Sequence, residues 1–477
     1  MPQKPASGEK ARRTIEALAR KINPLISPTA KEAEEERRKA YEIIGKLRKE
    51  LGPEPEIKFI GSAARDTGLR GDLDIDLFVA WPRARTREFI IEATEKAVKK
   101  AVPAKWEMHY AEHPYLRTEL GGFEIEVIPC FLMKPHEQLK SAVDRSILHM
   151  DYLQKRLTGD QKRDVRVLKK LLKTNGLYGA EAATEGFSGL VCEQMMLNYR
   201  SLAGLVDNAR KWKAPVFVDV EGIYADDYAK AEVIKKFAGA PMILIDAVDK
   251  NRNAAAAISV TNTHRFISLC AALWEKPSER FFIRPQAKAD GKKLHASVLG
   301  ALRSRGAKYF LIAVKKPEGI VDDILLPQLR KTGAAFARQL ALGDFRVFDQ
   351  ATFATDDECF VLLELASGSI PPVRKITGPP LSEAGGCREF VKAHKGCLRG
   401  PYIEGDRVFV EVKREITEAR KFIAKILANP TAAGAASHFV GPLKKAAVRE
   451  DAGIAGVPQA ALEKISEHVF RKDWWLE

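Results

Sequence analysis

Four acidic residues, Asp74, Asp76, Glu124 and Glu126, stand inside two otherwise apolar runs, LDIDLFVAW and FEIEVIPCF. In an extended strand, side chains alternate faces, so Asp74 and Asp76 share one face while Leu73, Ile75 and Leu77 share the other. Glu124 and Glu126 obey the same rule, opposite Ile125 and Val127. Carboxylates placed side by side repel and raise one another's pKa unless a cation stands between them. Hard oxygen donors of this kind suit Mg²⁺, which takes one or two carboxylates and completes its shell with water and phosphate oxygens. A solvated edge strand with both aspartates in water would need no function, but LDIDLFVAW is too apolar for a comfortable edge. Just upstream, Gly61 and Ser62 come directly after the run EIKFI. A small turn there, entering a helix, exposes backbone N–H groups and a hydroxyl able to cradle phosphate, with Arg65 on the first turn of that helix adding charge.

Periodicity gives the framework that carries these groups. Ala11 to Leu51 is helical and highly charged, interrupted by Pro24 and Pro28. EIKFI and LDIDLFVAW read as strands, Thr86 to Ala101 as a helix, and AKWEMHYAE, YLRTEL and FEIEVIPCF as short strands. After Pro135 the pattern becomes helical: VDRSILHMDYLQKRL, QKRDVRVLKKLLKTNG with Gly176 as a C-cap, GFSGLVCEQMMLNYRSL, then Asp226 to Phe237 and His264 to Trp274. From about Arg280 a strand (KYFLIAV), a helix (DDILLPQLRKTGAAFARQLAL) and a hairpin turned at Thr355-Asp356-Asp357 give a β-α-β-β order. That order suggests a ferredoxin-like or RNA-binding sheet. Ala428 to Pro442, rich in Ala, Gly and Pro, reads as a linker to a terminal helical piece. The segments implied are 1–150, 151–280, 281–427 and 428–477. The fold class is α+β and multidomain: a mixed sheet with helices, a helical middle, and an α+β C-terminal region.

At 477 residues the chain is long enough for two to four domains. Hydrophobic content of 45% with 30% charged residues fits a soluble globular protein, but a formal charge of +15 does not fit an indifferent surface. It should attract polyanions, with nucleic acid ahead of anionic membrane. The six cysteines show no CxxC pairing, so neither a zinc site nor a disulfide framework is indicated. The first residues lack an apolar signal region and no stretch is long enough to span a bilayer, so a cytoplasmic location is expected.

GSAARDTGLRGDLDID followed by EIEVIPC resembles the polymerase-β-like nucleotidyltransferases, whose pattern is Gly-Ser, an acid-hydrophobic-Asp, then a third acid on a nearby strand. AVDRSILH, VRVLKKLLKTNGLYGAE, GFSGLVCE, IDAVDKNRNAAAAIS and GPYIEGDRVFVEVKR are similar to segments of the archaeal, class I CCA-adding enzymes. The resemblance runs from the first helix to about Ile426. It implies a polymerase-β-like catalytic head, addition of CCA to tRNA from CTP and ATP, Mg²⁺ at Asp74, Asp76 and Glu126, and a homodimer. It further implies nucleotide contacts from Gly61, Ser62, Arg65, His149, Lys169 and Tyr178, with Arg252 reading the incoming base. Taken singly, His149 could be a structural hydrogen bonder, Lys169 part of a solvated helix face, and Tyr178 core packing.

The sequence departs from the family in three places. Glu126 stands where the family commonly has Asp, with Glu124 as a competing assignment. Asp246-Ala247 replaces Asp-Pro, and RSILH replaces RTPFH. The tRNA would be gripped by shape and phosphate at its acceptor stem and TΨC arm, through the region after Arg280. Two alternatives stay open on sequence alone. One is a poly(A) polymerase or oligoadenylate-type synthetase; the other is a non-catalytic tRNA-binding protein.

Overall fold

A computed structural model describes residues 7–110, 114–133, 142–284 and 291–477. The start of the helical region expected after Pro135, and Ala111 and Glu112 of the AKWEMHYAE strand, lie outside the described residues. The chain divides into two compact units, Met1–Gln286 with Asp473–Glu477, and Ala287–Lys472.

The first unit begins with α1 (Ser7–Ile26) and α2 (Ala30–Leu51). Thr29 and Glu32 form a reciprocal capping box that starts α2. Then come β1 (Glu56–Ile60), the four-residue α3 (Gly61–Ala64), β2 (Asp74–Trp81), α4 (Arg87–Ala101), β3 (Glu107–Tyr110), β4 (Pro114–Leu120) and β5 (Phe123–Phe131). The five strands form one mixed sheet in the order β1-β2-β5-β4-β3. β2 is therefore an interior strand, not a solvated edge. It runs parallel to β5 with Asp74 opposite Glu124 and Asp76 opposite Glu126.

Hydrophobic burial sets that register. Ile75, Leu77, Ile125 and Val127 are fully buried beneath Ala40, Ile43, Ile44 and Leu47 of α2 and Ile90 and Val98 of α4. Each such side chain contributes about 2 kcal/mol over exposure. A one-residue slip would expose all four and bury the acids in their place, so the core fixes which way the carboxylates face.

The middle of the unit carries α5 (Arg145–Arg156), α6 (Gly159–Thr174), α7 (Gly189–Tyr199), α8 (Leu202–Ala209), β6 (Val216–Asp219), α9 (Asp227–Lys236), β7 (Met242–Asp246), β8 (Asp249–Asn253) and α10 (Val260–Glu275). The helical middle expected here also holds a small sheet, formed by β6, β7 and β8. β6 and β7 are short, and β7 (MILID) is apolar on both faces because it is buried at every position. Such a run shows no alternation to mark it as a strand.

In the second unit the order is α11 (Gly291–Ser304), β9 (Lys308–Lys315), α12 (Asp322–Leu342), β10 (Val347–Ala354), β11 (Glu358–Leu365), β12 (Val373–Pro380), α13 (Ala384–Ala393), β13 (Arg399–Glu404), β14 (Arg407–Lys413), α14 (Ala419–Ala428), α15 (Pro430–Ala433), α16 (Ser437–Leu443), β15 (Ala447–Glu450) and α17 (Gln459–Val469). The hairpin of β10 and β11 closes with Thr355 N–H donating to Glu358 O at 2.8 Å. The main sheet reads β10-β11-β9-β15, every neighbour antiparallel. This is the ferredoxin-like order, with β12, β14 and β13 inserted as a separate sheet. Its fourth strand, β15, comes from the stretch expected to be a helical extension. Ala428–Pro442 is likewise not a linker: Ala433, Ala436 and Phe439 are buried in the same core as Phe336 and Leu340 of α12. Small residues there allow close packing, which composition alone presents as flexibility.

Candidate active site

The acidic ends of β2 and β5 open into a cleft of about 510 Å³ in the first unit. Gly61, Arg65, Asp76, Glu126, His149 and Arg252 all line it. Six of the ten residues singled out from sequence thus line one cavity, although they come from α3, β2, β5, α5 and β8 and the turn after α3. Asp74, Ser62, Lys169 and Tyr178 do not line it. Asp74 lies two residues before Asp76 on the same strand face.

Gly61 makes the acid end possible. Its φ is +87°, and a Cβ there would stand 2.1 Å from Asp76 Oδ2, so no larger residue fits. Burial and the neighbouring Asp74 push the Asp76 carboxyl up to about 6, against the opposing pull of Arg65. Burial and Asp76 push Glu126 up to about 7. Burial, then Glu124, raise Asp74 as well. Arg117 on β4 forms an ion pair with Glu124. Of the two glutamates, Glu126 is the one that faces the cleft.

Burial is the larger cause of these shifts, and the like charges gathered there with little positive charge among them add to it; a divalent cation reverses that electrostatic setting. Among the described residues, no three His, Cys, Asp or Glu side chains are already drawn together as a metal-binding group. The donors are nonetheless of the right kind: in-register carboxylates on adjacent strands, with raised pKa values and a glycine floor.

Arg65 differs from its expected place. It caps the C-terminal end of α3, and its guanidinium binds Glu193 of α7 through Nε at 2.9 Å and Nη2 at 3.0 Å. Thr67 Oγ1 donates to the same carboxylate at 2.6 Å. Burial raises the Glu193 pKa, but Arg65 and then Lys169 outweigh it and the net shift is downward. Glu193 thus keeps its charge at the centre of a buried cluster. Lys169, 2% exposed, donates from Nζ to Thr67 O at 2.9 Å, so it is not part of a solvated helix face. Ser62 supports the same loop, its carbonyl accepting from Thr67 N–H at 2.9 Å. Tyr178 pairs in a β-bridge with Phe187. Its Oη and Lys169 Nζ both come within 3.5 Å of where a Cβ on Gly189 would stand, at the start of α7. Leu190, the next residue, lines the cleft.

Asp246 organises the far wall. Its Oδ1 lies 2.6 Å from His149 Nε2, and its Oδ2 accepts from Arg252 Nη1 at 2.6 Å. Burial pulls this carboxyl up, but His149, the Val248 N–H and Arg252 together bring it down to about 2. His149 and Arg252 are therefore aimed by one fixed anion. Sequence reasoning missed Asp246 and Glu193 as site residues. An acid inside ILID and another inside GLVCEQMML, each surrounded by apolar residues, were the available signals.

Residues 40–149 match the nucleotidyltransferase domain family, 163–283 the second domain of tRNA nucleotidyltransferase, and 305–438 the C-terminal domain of the CCA-adding enzyme. A CCA-adding enzyme of Archaeoglobus fulgidus is 35% identical over 410 residues, 84% of this chain and 87% of its own. That of Methanocaldococcus jannaschii is 32% identical over 84% of this chain and 88% of its own. That of Methanosarcina acetivorans is 33% identical over 78% and 80%. On relatives of this identity and span, the chain belongs to the archaeal CCA-adding enzymes, a family of nucleotidyltransferases.

Proposed function

We propose that this chain adds and repairs the 3′-terminal CCA of tRNA, without a nucleic-acid template, from CTP and ATP with release of pyrophosphate. The observation that carries the reading is the in-register pair Asp76 and Glu126, on adjacent parallel strands above Gly61, facing one cleft with His149 and Arg252. Asp74, Asp76 and Glu126 would hold Mg²⁺, which when bound lowers the pKa of the tRNA 3′-hydroxyl and neutralises the triphosphate and its leaving group.

The protein's own part is position and charge. Gly61 and Ser62 leave room for phosphate against the backbone of α3. Lys169 on α6 and Tyr178 after it, both packed beside the start of α7, suit the triphosphate, and His149 suits its other side. Arg252 offers guanidinium donors to acceptors on either cytosine or adenine, and Asp246 holds it in place. Glu193 holds Arg65 at the cleft wall, where its charge suits the phosphates of the nucleotide. The basic surface binds tRNA by phosphate contacts at the acceptor stem and TΨC arm, so affinity falls steeply with salt. The protein works as a homodimer in the cytoplasm; among the described residues no helix is long and apolar enough to cross a membrane.

The test is a tRNA ending just before its CCA, incubated with CTP, ATP and Mg²⁺. Addition of C, C and A and then arrest supports the reading. An untemplated A tail would assign the chain to poly(A) chemistry, and no incorporation would reduce it to a tRNA-binding protein.

A further inference from the structure

The segment Asp473–Glu477 returns from the second unit and packs into the first, beyond the last family match, which ends at residue 438. The Trp474 ring packs on Phe281 with centroids 4.8 Å apart, and the guanidinium groups of Arg280 and Arg284 each lie 4.3 Å from its centroid. Its Nε1–H donates to Asn175 Oδ1 at 3.1 Å, and Arg284 Nη2 donates to the same atom at 3.1 Å.

Asn175 is 4% exposed and caps the end of α6. Its Nδ2 donates to Leu171 O at 2.6 Å and Phe281 O at 2.9 Å. Its own carbonyl accepts from Arg265 Nη2 at 3.2 Å, while Arg265 Nε donates to Asp473 Oδ1 at 2.9 Å. Every polar atom of the Asn175 side chain is thus engaged, and one of its partners belongs to the returning segment.

The residues after Asn175 give this contact its consequence. Tyr178 lies three residues on and is fixed by its bridge to Phe187, with Phe187 N–H donating to Leu177 O at 2.8 Å. A Cβ on Gly186 would stand 2.2 Å from Leu177 O, so the two bridged segments of this corner are in close contact. Ser188, next in sequence, caps α7. The corner that carries Tyr178 and opens α7 beside Lys169 is therefore anchored at Asn175.

We propose that Trp474 is a positioning residue for the nucleotide: by holding Asn175, it fixes the corner that presents Tyr178 and the start of α7. The proposal rests on the reading that Lys169 and Tyr178 contact the triphosphate. Trp474 touches no reacting atom, so its effect should fall on nucleotide binding more than on turnover.

Trp475 supplies the control. It is 8% exposed and donates from Nε1 to Ser268 Oγ on α10 at 3.2 Å, not to Asn175. Full-length Trp474→Ala, Trp474→Phe and Trp475→Ala variants should be compared on two readouts. One is KM and kcat for CTP addition to tRNA; the other is amide hydrogen exchange at Leu177, Gly179 and Phe187. In Trp474→Ala, KM should rise about tenfold with kcat within about threefold, and exchange at the corner should quicken about tenfold. Trp474→Phe, which keeps the ring and loses the donor, should fall between. Trp475→Ala should lower the melting temperature while leaving KM and corner exchange within about twofold of the parent.

Equal changes in the two alanine variants, or an unchanged KM in Trp474→Ala, would overturn the proposal. Tyr178→Phe and Lys169→Ala that leave KM untouched would overturn it through the nucleotide reading instead. Slow exchange at the corner in Trp474→Ala would overturn the mechanical link whatever the nucleotide does.

Discussion

Glu36 on α2 is 7% exposed and its Oε1 has no hydrogen-bond partner among the described residues. Burial, then the charge of Asp74, opposed by Arg37 and reinforced by Asp76, pushes its carboxyl up from 4.5 to about 7. A carboxyl raised on folding favours the protonated native state. Its contribution is fully present below the unfolded pKa of 4.5 and is lost as pH rises through about 7. The shift corresponds to about 3 kcal/mol between acidic and alkaline conditions.

Glu36→Gln keeps the shape and removes the titration. In metal-free buffer the variant and parent should have similar stability at pH 5. At pH 8.5 the variant should be more stable by up to about 3 kcal/mol, a rise of about 5 °C in melting temperature for a unit of this size. Differential scanning calorimetry in EDTA from pH 5 to 9 makes the comparison. Because Asp74 is one cause of the shift, Asp74→Asn should move the parent's loss of stability to lower pH. Parallel melting curves for parent and Glu36→Gln across the range would rule this picture out, since an ionising buried acid cannot leave its neutral isostere unaffected.

Three other substitutions probe the site and its supports. Glu193→Gln should cost about 3–5 kcal/mol by denaturant titration, because Arg65 and Lys169 lose the buried anion between them. Asp246→Asn should raise KM for both CTP and ATP about tenfold in steady-state assays, since Arg252 and His149 lose their shared carboxylate. Gly61→Ala should keep its far-ultraviolet circular dichroism yet lose about a hundredfold or more in nucleotide incorporation, because the added Cβ displaces Asp76 from 2.1 Å away.

The catalytic sheet was readable because its signals are local. Ile75 and Leu77 alternating with Asp74 and Asp76 define a strand and its two faces without any partner in view. The helix DDILLPQLRKTGAAFARQLAL coincides with α12 from Asp322 to Leu342 for the same reason. What stayed hidden depends on distant partners. Glu193 matters through Arg65, 128 residues away, and Asp246 through His149, 97 residues away. β15 is only four residues long and holds its place by pairing with β9, more than a hundred residues earlier. MILID is buried on both faces, so it lacks the alternation that would name it a strand. Arg65 was expected on the first turn of the helix after Gly61-Ser62 and instead caps its C-terminal end, because a four-residue helix offers no periodicity to fix its limits.

The proposed function rests on Asp76 and Glu126 acting as ionised ligands for a divalent cation. Incorporation of labelled CMP into tRNA lacking CCA, with Mg²⁺, by the parent and by Asp76→Asn decides whether they do. Without a cation Glu126 and Asp76 take up protons as pH falls below about 7, so protons compete with Mg²⁺ and the Mg²⁺ concentration that gives half-maximal parental activity should rise as pH falls. Asp76→Asn should lose about a thousandfold or more. Undiminished incorporation by that variant would contradict the role given to the carboxylates.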